Sequence, residues 1–284
     1  MRLSTRFGRV SLHDLRGADH ACTVSVLLAS TALSASFFAN AGTAFAQQVI
    51  DGSTETVIGT GGGTQPSPWN IADDLIVGGA GTGDLKISEG GEVSNVDGIV
   101  GNDAGSVGTV TITDSGSAWI NADDLTVGFS GTGILDISNG STVSNDRGII
   151  GDNFGSNGTV TVAGPGSTWT NASGLNVGYS GNGTLDISAG GAVSNTFGYI
   201  GEDTGSIGFA TVTGPGSVWT NSNDLAVGYL GTGTLTVSAG GVVSSVNGVV
   251  GDDVDASGTV TVTGSDSAWT NTGNLTVGRL GEGT

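Results

Sequence analysis

Residues 158–171 read Gly-Thr-Val-Thr-Val-Ala-Gly-Pro-Gly-Ser-Thr-Trp-Thr-Asn, and residues 208–221 repeat this text with few changes. The five tryptophans of the chain lie fifty residues apart, at positions 69, 119, 169, 219 and 269. A period that is kept over four intervals indicates an internal repeat. The sequence therefore predicts an array of similar units, without a single core that is unique in sequence.

Each 50-residue unit is itself a duplication. Its two halves carry apolar residues in the same order, which align as Val127 with Ile150, Leu135 with Val160, Ile137 with Val162 and Val143 with Trp169. Each half has about 25 residues and contains three short segments of alternating apolar and polar residues, separated by Gly, Ser and Asn. Alternation with β-branched residues is typical of half-buried strands. The elementary unit is therefore predicted to have three strands.

Such short strands predict a solenoid. No stretch after residue 46 has helical spacing, and 54 glycines oppose helix formation. Units this small bury apolar residues only by stacking on their neighbours. We expect an all-β, right-handed parallel β-helix with about 25 residues per coil and two coils per 50-residue repeat. The predicted inward positions are Leu75, Val77, Leu85, Ile87 and Val93 in one coil, and Val100, Val110, Ile112 and Trp119 in the next.

A β-propeller is the alternative fold, because its blades also repeat every 40 to 50 residues or so. Propeller blades, however, need longer antiparallel strands that are joined by hairpin turns. The segments here are short, and the two halves of each unit carry the same pattern. This likeness between half-repeats favours coils over blades.

The Trp positions have two interpretations, a ladder that stacks on a ligand or a column in the core. Trp169 aligns with Val143 of the sister half, which favours the core. A second column lies at the strand ends, two residues later, and we expect its amides to bond to each other and to the turn backbone. Its members are Asn95, Asn121, Asn145, Asn171, Asn195, Asn221 and Asn271.

A third column combines Thr with charged residues on the predicted outer face. Its threonines are Thr111, Thr161, Thr211 and Thr261. A regular Thr array would resemble the water-ordering surface of ice-binding β-helices. The sister halves place Lys86, Asp136, Asp186 and Thr236 in the same column, which breaks such a lattice. We therefore interpret these threonines as ordinary solvent-facing strand residues.

Composition limits the chemistry of the chain. After residue 46 there is no Cys, His or Met, and three basic residues, Lys86, Arg147 and Arg279, stand against 24 Asp plus Glu. This composition excludes a Ser-His triad, a Cys nucleophile and a zinc site of the usual ligand types in this region. An excess of 21 negative charges predicts repulsion of nucleic acid and of anionic lipid.

Only carboxylates remain as catalytic candidates. The candidate pairs are Asp252 with Asp253, Glu202 with Asp203, and Asp123 with Asp124. The first two pairs recur at the same turn as Asn102-Asp103 and Asp152-Asn153, whereas a catalytic centre would depart from its scaffold. We therefore predict solvated acidic turns, no catalytic, cofactor-binding or metal-binding residues, and a chain that is not an enzyme. The Gly-rich nonapeptide that binds calcium is also missing.

Residues 1–46 differ in kind from the rest. Four arginines precede an apolar run from about residue 21 to residue 38, and Ala44-Phe45-Ala46 closes it. This order predicts a secretory signal peptide with cleavage after Ala46; as a membrane helix the run is marginal, because Ser and Thr dilute it. Residues 47–68 then form a degenerate N-terminal lead-in, and residues 69–284 form the repeat array. Cleavage would remove Cys22, so the exported chain would carry no thiol.

These features together resemble the passenger region of Gram-negative autotransporters (type V secretion). The resemblance spans residues 1–284 and rests on the long signal, the Cys-free acidic repeats and the text of residues 158–171. It implies export through the inner membrane and display at the cell surface or release from it, by way of an outer-membrane translocator β-barrel. The last repeat breaks off at Thr284 before any barrel strands, from which we expect a fragment or a truncated gene.

Two functions of different class follow. The first is a structural stalk or adhesin that contacts a host surface or a glycan. The second is a secreted polysaccharide-active β-helix enzyme, a lyase or a glycoside hydrolase. An enzyme would need long loops around a groove, whereas every unit here keeps to 50 residues, which favours the stalk. The open last coil also predicts end-to-end association through its strand edges.

Overall fold

The computed structural model describes residues 47–284, which form an all-parallel β-helix. The predicted signal peptide, residues 1–46, lies outside the described residues. Each full coil contributes one strand to each of three sheets, which we name A, B and C. The predicted parallel β-helix is confirmed. The propeller alternative is wrong, because the described strand pairs run parallel. The right-handed sense of winding stays a prediction.

Sheet A has ten short strands. They are β1 (Gln48–Ile50), β4 (Leu75–Val77), β7 (Gly98–Val100), β10 (Leu125–Val127), β13 (Gly148–Ile150), β16 (Gly174–Val177), β19 (Phe197–Ile200), β22 (Leu225–Val227), β25 (Gly248–Val250) and β28 (Leu275–Val277). The middle residue of each three-residue strand is not part of the hydrophobic core cluster.

Sheet B also has ten strands, and most of them have six or seven residues. They are β2 (Ser53–Ile58), β5 (Thr82–Ser88), β8 (Val107–Ile112), β11 (Thr132–Ser138), β14 (Asn157–Ala163), β17 (Asn182–Ser188), β20 (Ile207–Thr213), β23 (Thr232–Ser238), β26 (Ser257–Thr263) and β29 (Glu282–Gly283).

Sheet C has nine strands and carries the Trp and Asn columns. They are β3 (Trp69–Asn70), β6 (Glu92–Asn95), β9 (Ala118–Asn121), β12 (Thr142–Asn145), β15 (Thr168–Asn171), β18 (Ala192–Asn195), β21 (Val218–Asn221), β24 (Val242–Ser245) and β27 (Ala268–Asn271). Residues 47–284 contain no helix that is long and apolar enough to cross a bilayer.

Strand register confirms the duplication within each repeat. Val127 pairs with Ile150, Leu135 with Val160, and Val143 with Trp169. Successive coils nevertheless differ in length, because sheet A aligns position 125 with position 148, and position 148 with position 175. The coil that begins at position 148 is therefore the longer of the two. We call the shorter coils Val coils and the longer ones Trp coils, after the residue that each places at the same position of sheet C.

The interior is filled by the residues that the alternation predicted. All the predicted inward positions, from Leu75 to Trp119, are at most 1% exposed. A fully buried Leu, Ile or Val contributes about 1.5–3 kcal/mol through the hydrophobic effect. Because each coil is short, that burial depends on the coils above and below it, so stability accumulates along the stack.

Residues 47–70 form a first coil that is less regular than the others. The segment predicted to be a lead-in, residues 47–68, supplies β1 to sheet A and β2 to sheet B. The loop after β2 folds back on that strand, where Thr64 N donates to Thr56 Oγ1 at 3.0 Å and Gln65 N donates to Thr56 O at 3.0 Å. The strands of the β-helix therefore begin before Trp69.

Candidate functional site

The tryptophans of the array lie inside the β-helix. Trp119, Trp169 and Trp219 are 0% exposed, and Trp69 and Trp269, near the two ends of the described residues, are partly buried against the same core. The prediction of a core column is confirmed. A ladder that stacks sugars is excluded for the three central indoles, because no ligand reaches their faces.

Each central indole is held by an asparagine of the preceding coil. Trp169 Nε1 donates to Asn145 Oδ1 at 2.7 Å, and Asn145 Nδ2 donates to Asn171 Oδ1 at 2.7 Å. Asn171 Nδ2 completes the chain with a 3.4 Å bond to the carbonyl oxygen of Ser194. The predicted bonds between amides are confirmed. The predicted bond to turn backbone is wrong, because Ser194 lies inside β18, and the bond from the indole was missed. A buried indole N–H needs an acceptor, which gives these asparagines a structural role.

The wide indole is accommodated by a glycine in sheet A of its own coil. Gly148 pairs with Leu125 and Leu175 of the neighbouring Val coils. A methyl group at Gly148 would lie 2.7 Å from Cζ2 of Trp169, too close for any side chain. Each complete coil from Leu75 onward therefore holds either a Leu with a Val or a Gly with a Trp, which keeps the interior close-packed.

The recurring acidic pairs lie in the A-to-B turns of the Trp coils. The prediction of solvated turns holds for Asp103, which is exposed. It is wrong for the first residues of the later pairs, because Asp252 is 6% exposed and pairs with Arg279, and Glu202 is half-buried.

Glu202 is the most perturbed of these acids. Burial raises the pKa of its carboxyl to about 7, because removal from water disfavours the charged form. Attraction to Arg147 lowers the pKa, and repulsion from Asp203 raises it further. Its Oε2 is inaccessible to solvent and has no hydrogen-bond partner among the described residues. Glu202 therefore exchanges its proton near neutral pH.

The third acid pair gains a partner from the next coil. Carboxylate oxygens of Asp123, Asp124 and Asp146 lie within 4.8 Å of one another. Oxygen ligands of this kind suit calcium, which takes about six to eight of them. Asp124 Oδ1 already accepts a 3.1 Å bond from the backbone N–H of Arg147. The group offers one oxygen per residue beside a shallow depression of sheet C, and these three are the residues that would hold a cation there.

The outer face of sheet A carries a group of residues that the sequence analysis missed. Asn176, Tyr199 and Ala226 are side by side on β16, β19 and β22. A parallel row stands in the turns, where Glu202 N donates to Gly178 O and Tyr229 N donates to Gly201 O. We name the following residues the tyrosine patch: Arg147, Asn176, Tyr179, Tyr199, Glu202 and Tyr229.

The side chains of the tyrosine patch contact each other. The rings of Tyr199 and Tyr229 have centroids 5.3 Å apart and planes inclined at 68°. The guanidinium carbon of Arg147 lies 4.9 Å from the ring centroid of Tyr179, a cation–π distance. Arg147 Nε donates to Asn176 Oδ1 at 2.9 Å, and Asn176 is 2% exposed. The patch thus contains two groups of contacting side chains, and the pairing of Asn176 with Tyr199 in sheet A sets the two groups side by side.

One signal in the sequence marks the patch. The residue after each Val-Gly of the Val coils changes from repeat to repeat, as Gly79, Phe129, Tyr179, Tyr229 and Arg279. All three tyrosines of the chain fall within this one surface. Variation inside an otherwise regular repeat therefore pointed to the outer face of sheet A.

Comparison with known proteins adds no identification, since no family model, curated protein or solved structure matches the chain.

Proposed function

We propose that the chain is the passenger of an autotransporter and acts as a surface stalk or adhesin. The observation that carries the proposal is the regular alternation of shorter and longer coils, which no insertion interrupts. In sheet A the paired residues of successive strands are at positions 75, 98, 125, 148, 175, 198, 225, 248 and 275, so the spacing alternates without exception. Repeats that add length and no long loops suit a spacer that carries a contact surface away from its anchor.

The composition supports the same proposal. After residue 46 the chain has no Cys, so no disulfide of its own would form before it crosses a second membrane. A stack of coils that contact only their neighbours can also fold progressively from one end, as it emerges. On this proposal the signal peptide of residues 1–46 directs export, and an outer-membrane translocator β-barrel is the partner in secretion.

A polysaccharide-active enzyme is the second candidate, because Glu202 combines a pKa of about 7 with neighbouring tyrosines. Glycoside hydrolysis uses an acid of raised pKa together with a second carboxylate. We expect no turnover of pectin, glycosaminoglycan or bacterial glycan panels. Turnover that disappears in Glu202→Gln would support the enzyme and contradict the stalk.

Surface labelling tests the passenger proposal. Phe154 is 90% exposed at the tip of a turn, and no Cys follows residue 46. Phe154→Cys should react with a membrane-impermeant maleimide on intact cells that produce the full-length chain. Val160→Cys is the matched control, because Val160 is 0% exposed and should stay unlabelled. Labelling of Phe154→Cys only after the cells are permeabilised would contradict surface display.

A further inference from the structure

The aromatic residues outside the core are concentrated on one side of the β-helix. Residues 47–284 contain seven aromatic residues other than Trp. Six of them lie on sheet A or in the turns that follow its strands: Phe129, Phe154, Tyr179, Phe197, Tyr199 and Tyr229. The concentration therefore points to a contact surface.

The tyrosine patch has the shape of an open corner. Tyr199 and Tyr229, inclined at 68°, form two walls, and both rings are half-exposed. Arg147 lies over the ring of Tyr179. We therefore assign sugar stacking to the half-exposed rings of Tyr199 and Tyr229. Tyrosine rings combine a flat apolar face with a polar edge. A pyranose ring has the complementary surface, with one face of C–H groups and a rim of hydroxyls.

Polar groups that bind hydroxyls surround this corner. Glu202 stands between Tyr179 and Tyr229 in the row of turn residues. Its Oε2 is inaccessible to solvent, so Oε1 is the carboxyl oxygen that accepts hydrogen bonds from a ligand. Asn176 holds the guanidinium of Arg147, which orients a planar set of N–H donors beside the rings. A few placed polar groups next to apolar faces are typical of small-ligand sites.

We propose that the tyrosine patch binds a neutral oligosaccharide, with a sugar ring stacked in the corner of Tyr199 and Tyr229 and hydroxyls bonded to Glu202. The proposal deepens the adhesin function and rests on it for its biological setting. The ligand is neutral because residues 47–284 carry 24 acidic and 3 basic residues, a balance that repels uronates and sulfated glycans.

The same side of the β-helix offers further positions for a longer glycan. Phe129, Tyr179 and Tyr229 occupy equivalent turns of successive repeats, two coils or about 9.6 Å apart. Asp152 and Glu202 occupy the coils between them. A saccharide chain parallel to the axis would therefore meet an aromatic ring and a carboxylate in alternation.

Calorimetric titration of the full-length chain tests the proposal. The neutral probes are cellohexaose, mannohexaose and the hexamer of N-acetylglucosamine, and hexagalacturonate is the anionic probe. We expect at least one neutral hexasaccharide to bind, and to bind more tightly than hexagalacturonate. The double variant Tyr199→Ala/Tyr229→Ala should weaken this binding about tenfold or more through loss of both stacking rings. Tyr229→Phe keeps the ring and should retain most of the affinity.

Phe209→Ala is the matched control, because it removes a ring that is 48% exposed on sheet B, away from the patch. Its affinity should equal that of the native chain, and circular dichroism should show every variant folded. No binding of any neutral probe, equal loss in Phe209→Ala, or tighter binding of hexagalacturonate would overturn the proposal. The proposal would also be overturned if the native chain self-associated and the double tyrosine variant did not, because the patch would then be a contact between copies of the chain. Surface labelling is independent of this titration, so each proposal can fail alone.

Discussion

The Trp column inside the β-helix and the tyrosine patch outside it share the same coils, yet only the column repeats. The Trp–Asn contacts recur at Trp119, Trp169 and Trp219 with nearly the same distances. The position of Tyr199, by contrast, is an isoleucine at Ile99 and Ile149 and a valine at Val249. The inner residues must therefore meet the requirements of packing in the stack, which do not apply to the outer residues. Stacking fixes the inner residues, whereas the outer ones are free to vary from coil to coil.

The largest effect is expected from Trp169→Ala. The substitution removes a fully buried indole and leaves Asn145 Oδ1 without its donor. We expect a loss of about 4 kcal/mol in the free energy of unfolding, the usual range for a buried Trp. Chemical denaturation followed by circular dichroism measures it. A loss below about 1 kcal/mol would mean that the column does not support the core.

Asn145→Ala should have the next largest effect. It leaves the indole N–H of Trp169 and the Oδ1 of Asn171 without partners in a buried place, at a cost of about 2–3 kcal/mol. Asn145→Ser is a control that the chain itself provides. Ser245 occupies the equivalent position of the last complete repeat, accepts from Trp269 Nε1 at 3.1 Å and donates to Asn271 Oδ1 at 2.6 Å. Equal losses in the two variants would contradict a hydrogen-bonding role.

Glu202→Gln tests whether burial of Glu202 on the outer face makes the stability of the chain depend on pH. The folded pKa of Glu202, about 7, lies above the ordinary value of 4.5, so the folded chain binds the proton more tightly than the unfolded chain does. Stability conferred by protonated Glu202 is therefore lost as the pH rises from about 4.5 through 7. The glutamine side chain of the variant carries no charge at either pH, so the variant does not undergo this loss. Between pH 4 and pH 8 its free energy of unfolding should therefore rise, relative to that of the native chain, by about 1–2 kcal/mol once partial exposure is allowed for.

Thermal unfolding at pH 4 and pH 8 measures this change. Glu92→Gln removes the same charge from an exposed position of β6 and corrects for the general effect of one carboxylate fewer. A pH response that is identical in the two variants would show that burial of Glu202 does not govern its titration.

The smallest effect on stability is expected from Tyr199→Ala/Tyr229→Ala. Both rings are half-exposed and outside the stack, so the double variant should lose at most about 1 kcal/mol in the free energy of unfolding. The same denaturation experiment measures it beside Trp169→Ala. A loss as large as that of the indole would mean that the tyrosine patch is part of the structural core, and the contrast between inside and outside would fail.

The sequence predicted the inside of the molecule well, because periodicity alone determines it. A period of 50 with alternation identifies which residues face inward, and the inward residues from Leu75 to Trp119 are indeed buried. The exchange of Leu125 for Gly148 beside Trp169 was missed, because it depends on which side chains meet across the interior. Pattern gives the face of a strand, but it does not give the partner across the core.

The outside was predicted less well, because contacts there link residues of different coils. Asp146 joins Asp123 and Asp124 only because the shorter Val coil returns to the same corner at that position. Arg147 likewise reaches Tyr179 and Asn176 of the next Val coil. Register between unequal coils decides such contacts. Alternation within the strands identifies the duplication, but it does not give the register of the turns between them.

Deletion of residues 123–172 tests the central claim, that coils stacked in parallel carry the fold one by one. The deletion joins Ala122 to Ser173 at equivalent positions of the repeat and removes two coils. Small-angle X-ray scattering and circular dichroism would compare the purified deletion variant with the native chain. We predict a folded β-helix that is shorter by about 9.6 Å. An unfolded chain, or a folded one of unchanged length, would contradict the account.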